Sequence, residues 1–174
     1  MQKLILIVFS FLIISNLIDG QTIDTEKSVV TFKAVALKVN TVNGTFKGMN
    51  GEVNFDQNDL GNASFNVCID PSTVYTENNK RDDHLRSEDF FFVETFPQIC
   101  FTSTSVVKTK SGFKTIGNLT MRGVTKEVEI PFTFENNTFK GDIKLKRLDY
   151  EIGQDYGGFT ASKEAKIEIV CVLK

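Results

Sequence analysis

Asp82, Asp83 and His84 set two carboxylates beside the chain's single imidazole. That trio is the raw material of a general acid–base group. It has little company. The sequence offers no nucleophile motif, no oxyanion device, no C-x-x-C and no H-x-x-x-H, and its three cysteines, Cys68, Cys100 and Cys171, are far apart. A cysteine/histidine metal site is therefore not expected, and no residue is assigned as catalytic. A lone histidine in a charged helix start more often caps or hydrogen-bonds. The preferred reading makes Arg81, Asp82, His84, Arg147 and Asp149 a structural polar cluster that holds a short helix over a sheet. An acid–base group of Asp82, Asp83 and His84 acting on an apolar substrate stays as the alternative.

Two further sets could meet a charged ligand. Gly153, Gly157 and Gly158 lie in one long connection with Tyr156 between them, and successive backbone N–H groups in such loops can cradle phosphate. No Lys or Arg lies among them, so a rim loop is the simpler reading. The basic residues placed to meet a pyrophosphate are Arg122 and Lys126 in one turn, Arg86 in the helix, and Arg147.

The elements that must position these residues are strands. From Ser28 onward the hydrophobic period is two, with Val30, Phe32, Ala34 and Ala36 on one face. Asn43-Gly44 and Asn50-Gly51 are turn or bulge signals that bracket 45–49 before a strand at 52–56. Asp59 to Asn62 turns the chain into a strand at 63–70, which Pro71 ends, and 72–80 reads as a polar loop. Further strands are expected at 98–107, 113–121, 125–134, 138–147 and 159–173. A helical insertion is expected around 79–90, with Phe90, Phe91, Phe92 and Phe96 as its plug against the sheet and Pro97 as its stop. At least two of the rings at 90–92 should be buried between helix and sheet.

About eight strands at hairpin spacing with one inserted helix fit an all-β, eight-stranded antiparallel barrel, with a two-sheet sandwich as the alternative. A barrel of that size is either filled by side chains or holds one small ligand. Sixteen Phe against three Tyr and no Trp suit a dry interior, because a phenyl ring has no polar group to satisfy. The inward candidates for lining a lumen are Phe32, Phe46, Phe55, Phe65, Phe101, Phe132 and Phe134. Ala34, Ala36, Ala63, Ala161 and Ala165 leave room between them, which favours a cavity over a solid core. Cys68 and Cys100 alternate with apolar neighbours and face outward on strands expected to be adjacent, so they are a candidate disulfide. Cys171 is in register with Ile167 and Ile169 and should be a buried thiol.

The first twenty residues have the layout of a secretory signal peptide: Lys3, an apolar run from Leu4 to Ile14 broken only by Ser10, then a polar break and Gly20 at a plausible cut. Residues 1–20 are read as that signal and 21–174 as one domain, exported to the periplasm or secreted. The formal net charge of −2 gives no bulk attraction to nucleic acid, so no nucleic-acid partner is expected. Asn43, Asn62, Asn118 and Asn136 head N-x-S/T sequons, which otherwise mark turns and strand ends.

Four segments carry a family resemblance. They are RDDHLRSEDFF at 81–91, FPQICFTST at 96–104, GNLTMRGVTK at 117–126 and RLDYEIG at 147–153. In order along the chain they resemble the YceI-like family of secreted lipid-binding barrels. The resemblance implies a lipocalin-like eight-stranded antiparallel barrel whose apolar lumen takes a long isoprenoid chain, with no cofactor. The function it suggests is a non-catalytic exported protein that carries or sequesters a polyprenol or quinone-tail lipid and exchanges it transiently with membranes. Besides the enzyme reading, a stress-response interaction module with a solid core remains open. Oligomeric state is not legible.

Overall fold

The computed structural model describes residues 20–36, 40–157 and 161–174. Residues 1–20, expected to be a signal peptide, therefore lie outside the described residues apart from Gly20. In chain order the elements are β1 (Gln21–Thr22), β2 (Val29–Ala36), β3 (Asn40–Asp56), β4 (Asp59–Tyr75), α1 (Asn79–Arg86), β5 (Ile99–Thr109), β6 (Gly112–Met121), β7 (Val124–Glu135), β8 (Thr138–Lys146) and β9 (Ala161–Val172). Hydrogen bonding runs β3-β2-β9-β8-β7-β6-β5-β4, and β4 pairs back onto β3. The sheet is thus a closed, eight-stranded antiparallel barrel. Closure removes the edges that a long open sheet would expose. The short β1 continues the rim beside β3 where β2 no longer covers it, with Gln21 opposite Val53.

β3 and β4 are longer than the sequence suggested. Asn43-Gly44 and Asn50-Gly51 do not turn the chain; both stay inside the 17-residue β3. Gly44 faces Phe32 across the β2–β3 ladder, and a Cβ there would lie 2.3 Å from the Phe32 ring. Gly51 has φ +127°, and a Cβ on it would lie 2.1 Å from the Asn66 carbonyl. Register shifts between Thr45 and Asn50 identify the segment as bulged, which bends the strand around the barrel. Pro71 does not end β4 either. It sits in the irregular stretch where Lys47 pairs with Asp70 but Thr45 pairs with Tyr75, a position where a strand tolerates the missing N–H. Thr73 repairs the gap: its Oγ1 accepts from the Lys47 N–H at 2.8 Å and donates to the Asp70 carbonyl at 2.6 Å.

α1 covers 79–86 rather than 79–90. Asn78 caps its N-terminus, accepting from the Arg81 N–H at 3.0 Å. Ser87 is extended and closes the last turn by donating its N–H to the His84 carbonyl. Hairpin connectivity fixes the two ends of the barrel. The β3–β4, β5–β6 and β7–β8 turns share one end; the α1 insertion, the β6–β7 turn and the long β8–β9 connection share the other.

The first end is solid. Phe55 is 4% exposed and its ring centroid lies 5.1–6.1 Å from those of Phe65, Phe113, Phe132, Phe134 and Phe139. Most of these contacts are edge-to-face, the arrangement the ring quadrupole favours. Phe residues beside the tight turns thereby plug the barrel.

Candidate functional site

Between that plug and α1 the barrel encloses a cavity of about 450 Å³, inside the ~300–1,000 Å³ range of small-molecule pockets. The alternation of period two builds its wall. Phe101 on β5, Ile143 and Leu145 on β8, and Ile167 and Ile169 on β9 all line it, and each is only half-buried because its inner side meets open space. Ala34, Ala161 and Ala165 supply short wall positions. Of the predicted lining residues, Phe32, Phe46, Phe65, Phe101 and Phe132 border the cavity. Phe55 and Phe134 do not; they belong to the plug, as their ring contacts place them. Ala63 packs against the core beside them. The wall also includes Phe139, Leu119, Met121, Ile143 and Leu145, which the sequence reading left out although the alternation at 138–146 marks the β8 pair.

α1 lies over the mouth, and the phenylalanines after it form the lid. Phe91 meets Phe46 edge-on at 5.2 Å, and Phe90 packs on His84 and Tyr156 at 5.0 Å each. Phe92 instead pairs with Phe96. All three rings at 90–92 are half-buried rather than buried, since Phe90 and Phe91 face the cavity. Two glycines let the lid close. A Cβ on Gly153 (φ +60°) would lie 2.8 Å from the Phe90 ring, and one on Gly123 (φ +75°) 2.8 Å from Phe96.

The acid–base trio is not assembled. Three consecutive helical residues project in different directions, and each has its own partner. Asp82 is 2% exposed and its Oδ1 accepts from the Thr76 N–H at 3.0 Å and from the Thr76 hydroxyl. Asp83 is exposed and pairs with Arg86 at 2.9 Å. His84 Nε2 lies 3.0 Å from Asp89 Oδ2 and 2.8 Å from the Tyr156 hydroxyl, which itself donates to Asp89 at 3.1 Å. The hydrogen bonds from His84 and then Tyr156 hold the Asp89 carboxyl below its ordinary pKa, and desolvation raises that of Tyr156. This His84–Asp89–Tyr156 contact ties the α1 segment to the β8–β9 connection.

The proposed five-residue polar cluster separates into parts. Arg81 and Asp82 meet through Thr76 and not through each other: Arg81 donates to the Thr76 Oγ1 at 2.7 Å and to its carbonyl at 2.6 Å. Arg147 stands apart and collects carbonyls. It donates to Ser162 at 2.9 Å, Ile152 at 2.7 Å and Ala161 at 3.4 Å, and also to Gly153 and Tyr156. Five donors in a fixed fork suit that task, and it shapes the loop over the mouth; burial lowers its pKa from the ordinary value. Asp149 is exposed and has no part in either group's hydrogen bonds.

The phosphate cradle is likewise absent from the described part of the loop. Gly153 spends its N–H on the Asp89 carbonyl at 2.7 Å, and Tyr156 spends its own on Gly153; Gly158 lies outside the described residues. Arg86 anchors α1 to the Ser72 and Val74 carbonyls. Arg122 donates to the Glu88 carbonyl at 2.7 Å and reaches Glu151 at 3.5 Å. Lys126 is exposed on β7. Among the described residues no group of three or more His, Cys, Asp or Glu is set to hold a metal ion.

Outside the barrel, Cys68 on β4 stands directly opposite Cys100 on β5, and the two are joined with a Cα separation of 4.1 Å. Cys171 is a free thiol lining the cavity; burial pushes its pKa up to about 11, against a hydrogen bond from Ser28.

Residues 21–173 match the YceI-like domain family. Protein YceI of Salmonella newport is 35% identical over 154 residues, covering 83% of this chain and 80% of the relative. The chain belongs to the YceI-like family. Among solved structures, BcnA of Burkholderia cenocepacia superposes with a TM-score of 0.77 at 25% identity, covering 87% of this chain and 99% of BcnA. The Campylobacter jejuni YCEI protein gives 0.68 at 26% identity over 78% and 86%. A polyisoprenoid binding domain from Saccharophagus degradans shares the fold, with a TM-score of 0.68 over 89% of this chain and 98% of the domain, at 14% identity.

Proposed function

We propose that this YceI-like protein is an exported, non-catalytic binding protein that holds an isoprenoid lipid in its lumen and carries or sequesters it. The observation that carries the reading is the cavity itself: about 450 Å³ walled by Phe, Ile, Leu, Met, Val and Ala, with Phe90 and Phe91 over its mouth. A solid-core module would have no use for a half-buried inner wall of that kind. The family membership and the fold shared with a polyisoprenoid binding domain support the same ligand class. The enzyme reading draws no support from the mouth, where Asp82, Asp83 and His84 are each engaged separately.

Energy favours a carrier over an irreversible scavenger. Each CH₂ withdrawn from water is worth ~0.8 kcal/mol, but a bilayer offers nearly the same gain. Exchange between lumen and membrane is therefore close to balanced, which lets the protein both load and unload. Organic extraction of the purified protein followed by lipid mass spectrometry tests the proposal. A long-chain isoprenoid in stoichiometric amount is expected. No such lipid, together with no uptake of added polyprenol, would overturn it.

A further inference from the structure

The polar groups around the cavity are almost all spoken for. Arg81 is engaged by Thr76 and Arg147 by five carbonyls. His84 and Tyr156 are held on the Asp89 carboxylate. Thr115 donates to the Ser105 carbonyl at 3.2 Å. Around them stand exposed acids, among them Glu88, Asp89 and Glu151. Among the described residues that line the cavity, an anionic head group would therefore find no uncommitted cation; the lysines at this end, Lys80, Lys126, Lys146 and Lys163, are exposed and stand outside the cavity wall.

One cavity-lining polar group differs. Tyr150 is 2% exposed, lines the cavity, and its hydroxyl has no hydrogen-bond partner. The only other such atom among the described residues, Arg122 Nε, is not part of the cavity wall. Tyr150 is packed with Leu119, Met121 and Ile152 in a small apolar cluster beneath the lid. A buried hydroxyl with no partner is costly to keep, and phenylalanine, which this chain uses sixteen times, would fill the same space without that cost. Resting on the lipid-binding reading above, we infer that Tyr150 is a specificity-determining contact. Its hydroxyl donates a hydrogen bond to an oxygen on an uncharged isoprenoid head group, an alcohol, ether or carbonyl, and the site selects such lipids over phosphorylated ones. The hydroxyl is closed to water in the free protein, so the head group must displace a neighbour to reach it. Met121, unbranched and flexible, is the side chain best able to yield.

The test compares three fifteen-carbon probes: farnesol, the hydrocarbon farnesene and farnesyl pyrophosphate, each displacing a fluorescent lipid from the wild type and from Tyr150→Phe. Farnesol is expected to lose about 3–10-fold in affinity on Tyr150→Phe, the loss of one hydrogen bond, while farnesene changes less than about twofold. Farnesyl pyrophosphate is expected to bind the wild type more weakly than farnesol. The free Tyr150→Phe protein should melt no lower than the wild type. A second readout keeps the wild-type fold: with ¹³C-labelled tyrosine, the Tyr150 Cζ resonance should shift with farnesol and not with farnesene. Equal losses for farnesol and farnesene, no loss for either, an unmoved resonance, or tighter binding of the pyrophosphate would each overturn the inference. Failure of the wild type to take up any of the three would instead count against lipid binding itself.

Discussion

Phe55 and Phe101 were indistinguishable as inward-facing phenylalanines, and truncating each to Ala should separate plug from wall. Phe55 is 4% exposed and ringed by five other phenylalanines. Phe55→Ala leaves a closed void in a packed cluster and should cost ~3–5 kcal/mol, a large part of the ~5–15 kcal/mol that holds an ordinary domain together. Phe101 is half-buried with one side on the cavity. Its removal enlarges a space that already exists, so the loss should stay below ~2 kcal/mol, the lower part of the range for burying such a side chain. Urea unfolding followed by far-UV circular dichroism, with the disulfide intact, reads both. At a common slope of ~1–3 kcal/mol per M, Phe55→Ala should lower the midpoint by on the order of 1–5 M and Phe101→Ala by at most about two-thirds of that. Lipid loading should respond in the opposite order, falling for Phe101→Ala in any protein that remains folded. Equal midpoint shifts for the two variants would refute the division of the lumen into plug and wall.

Other expectations follow from the same geometry. Cys68 and Cys100 are 32 residues apart, so replacing both by Ser should cost roughly 3–4 kcal/mol by the loop-closure relation, and thiol counting on the denatured wild type should find one free thiol per chain. Gly153→Ala places a Cβ 2.8 Å from the Phe90 ring at φ +60°; it should cost more than ~1 kcal/mol and lower the melting temperature by at least ~2–4 °C, with faster lipid release. The contact of Asp89 with His84 and Tyr156 holds its pKa below the ordinary 3.8. The stabilisation it gives is complete above that unfolded value and is lost as pH falls through the lower folded one. A ¹³C titration of Asp89 should show the depressed midpoint in the wild type and a return toward 3.8 in His84→Ala/Tyr156→Phe.

The face of each strand was legible because side chains alternate with period two, so Phe32, Phe65, Phe101 and Phe132 were correctly turned inward. Depth along the barrel axis was not, because alternation carries no information about it; only the distance of Phe55 and Phe134 from the turns at 57–58 and 136–137 hinted that they sit at the closed end. Asn43-Gly44 and Asn50-Gly51 read as turn or bulge signals because a glycine that makes room for the Phe32 ring, or one beside a strand bulge, looks in sequence like a glycine that makes a turn. Pro71 misled for a similar reason, since the Thr73 side chain restores the pairing that the proline interrupts. At the mouth, Arg81 and Asp82 were rightly set over the barrel. Their common partner, Thr76, was hidden in a stretch that looked like loop. Arg147 pairs with carbonyls, and carbonyls are present at every residue, so no side-chain pattern could announce them.

Photo-crosslinking tests the central claim most directly. A polyprenol carrying a photoreactive group near its tail is loaded onto the purified protein, irradiated, and the adducts are mapped by peptide sequencing. Adducts are expected on inward residues of the wall, Phe101, Ile143, Leu145, Ile167 and Ile169, and should be lost in Ala165→Phe, which places a ring in the lumen. Adducts on the outer faces of the strands, or unchanged labelling when the lumen is filled, would contradict it.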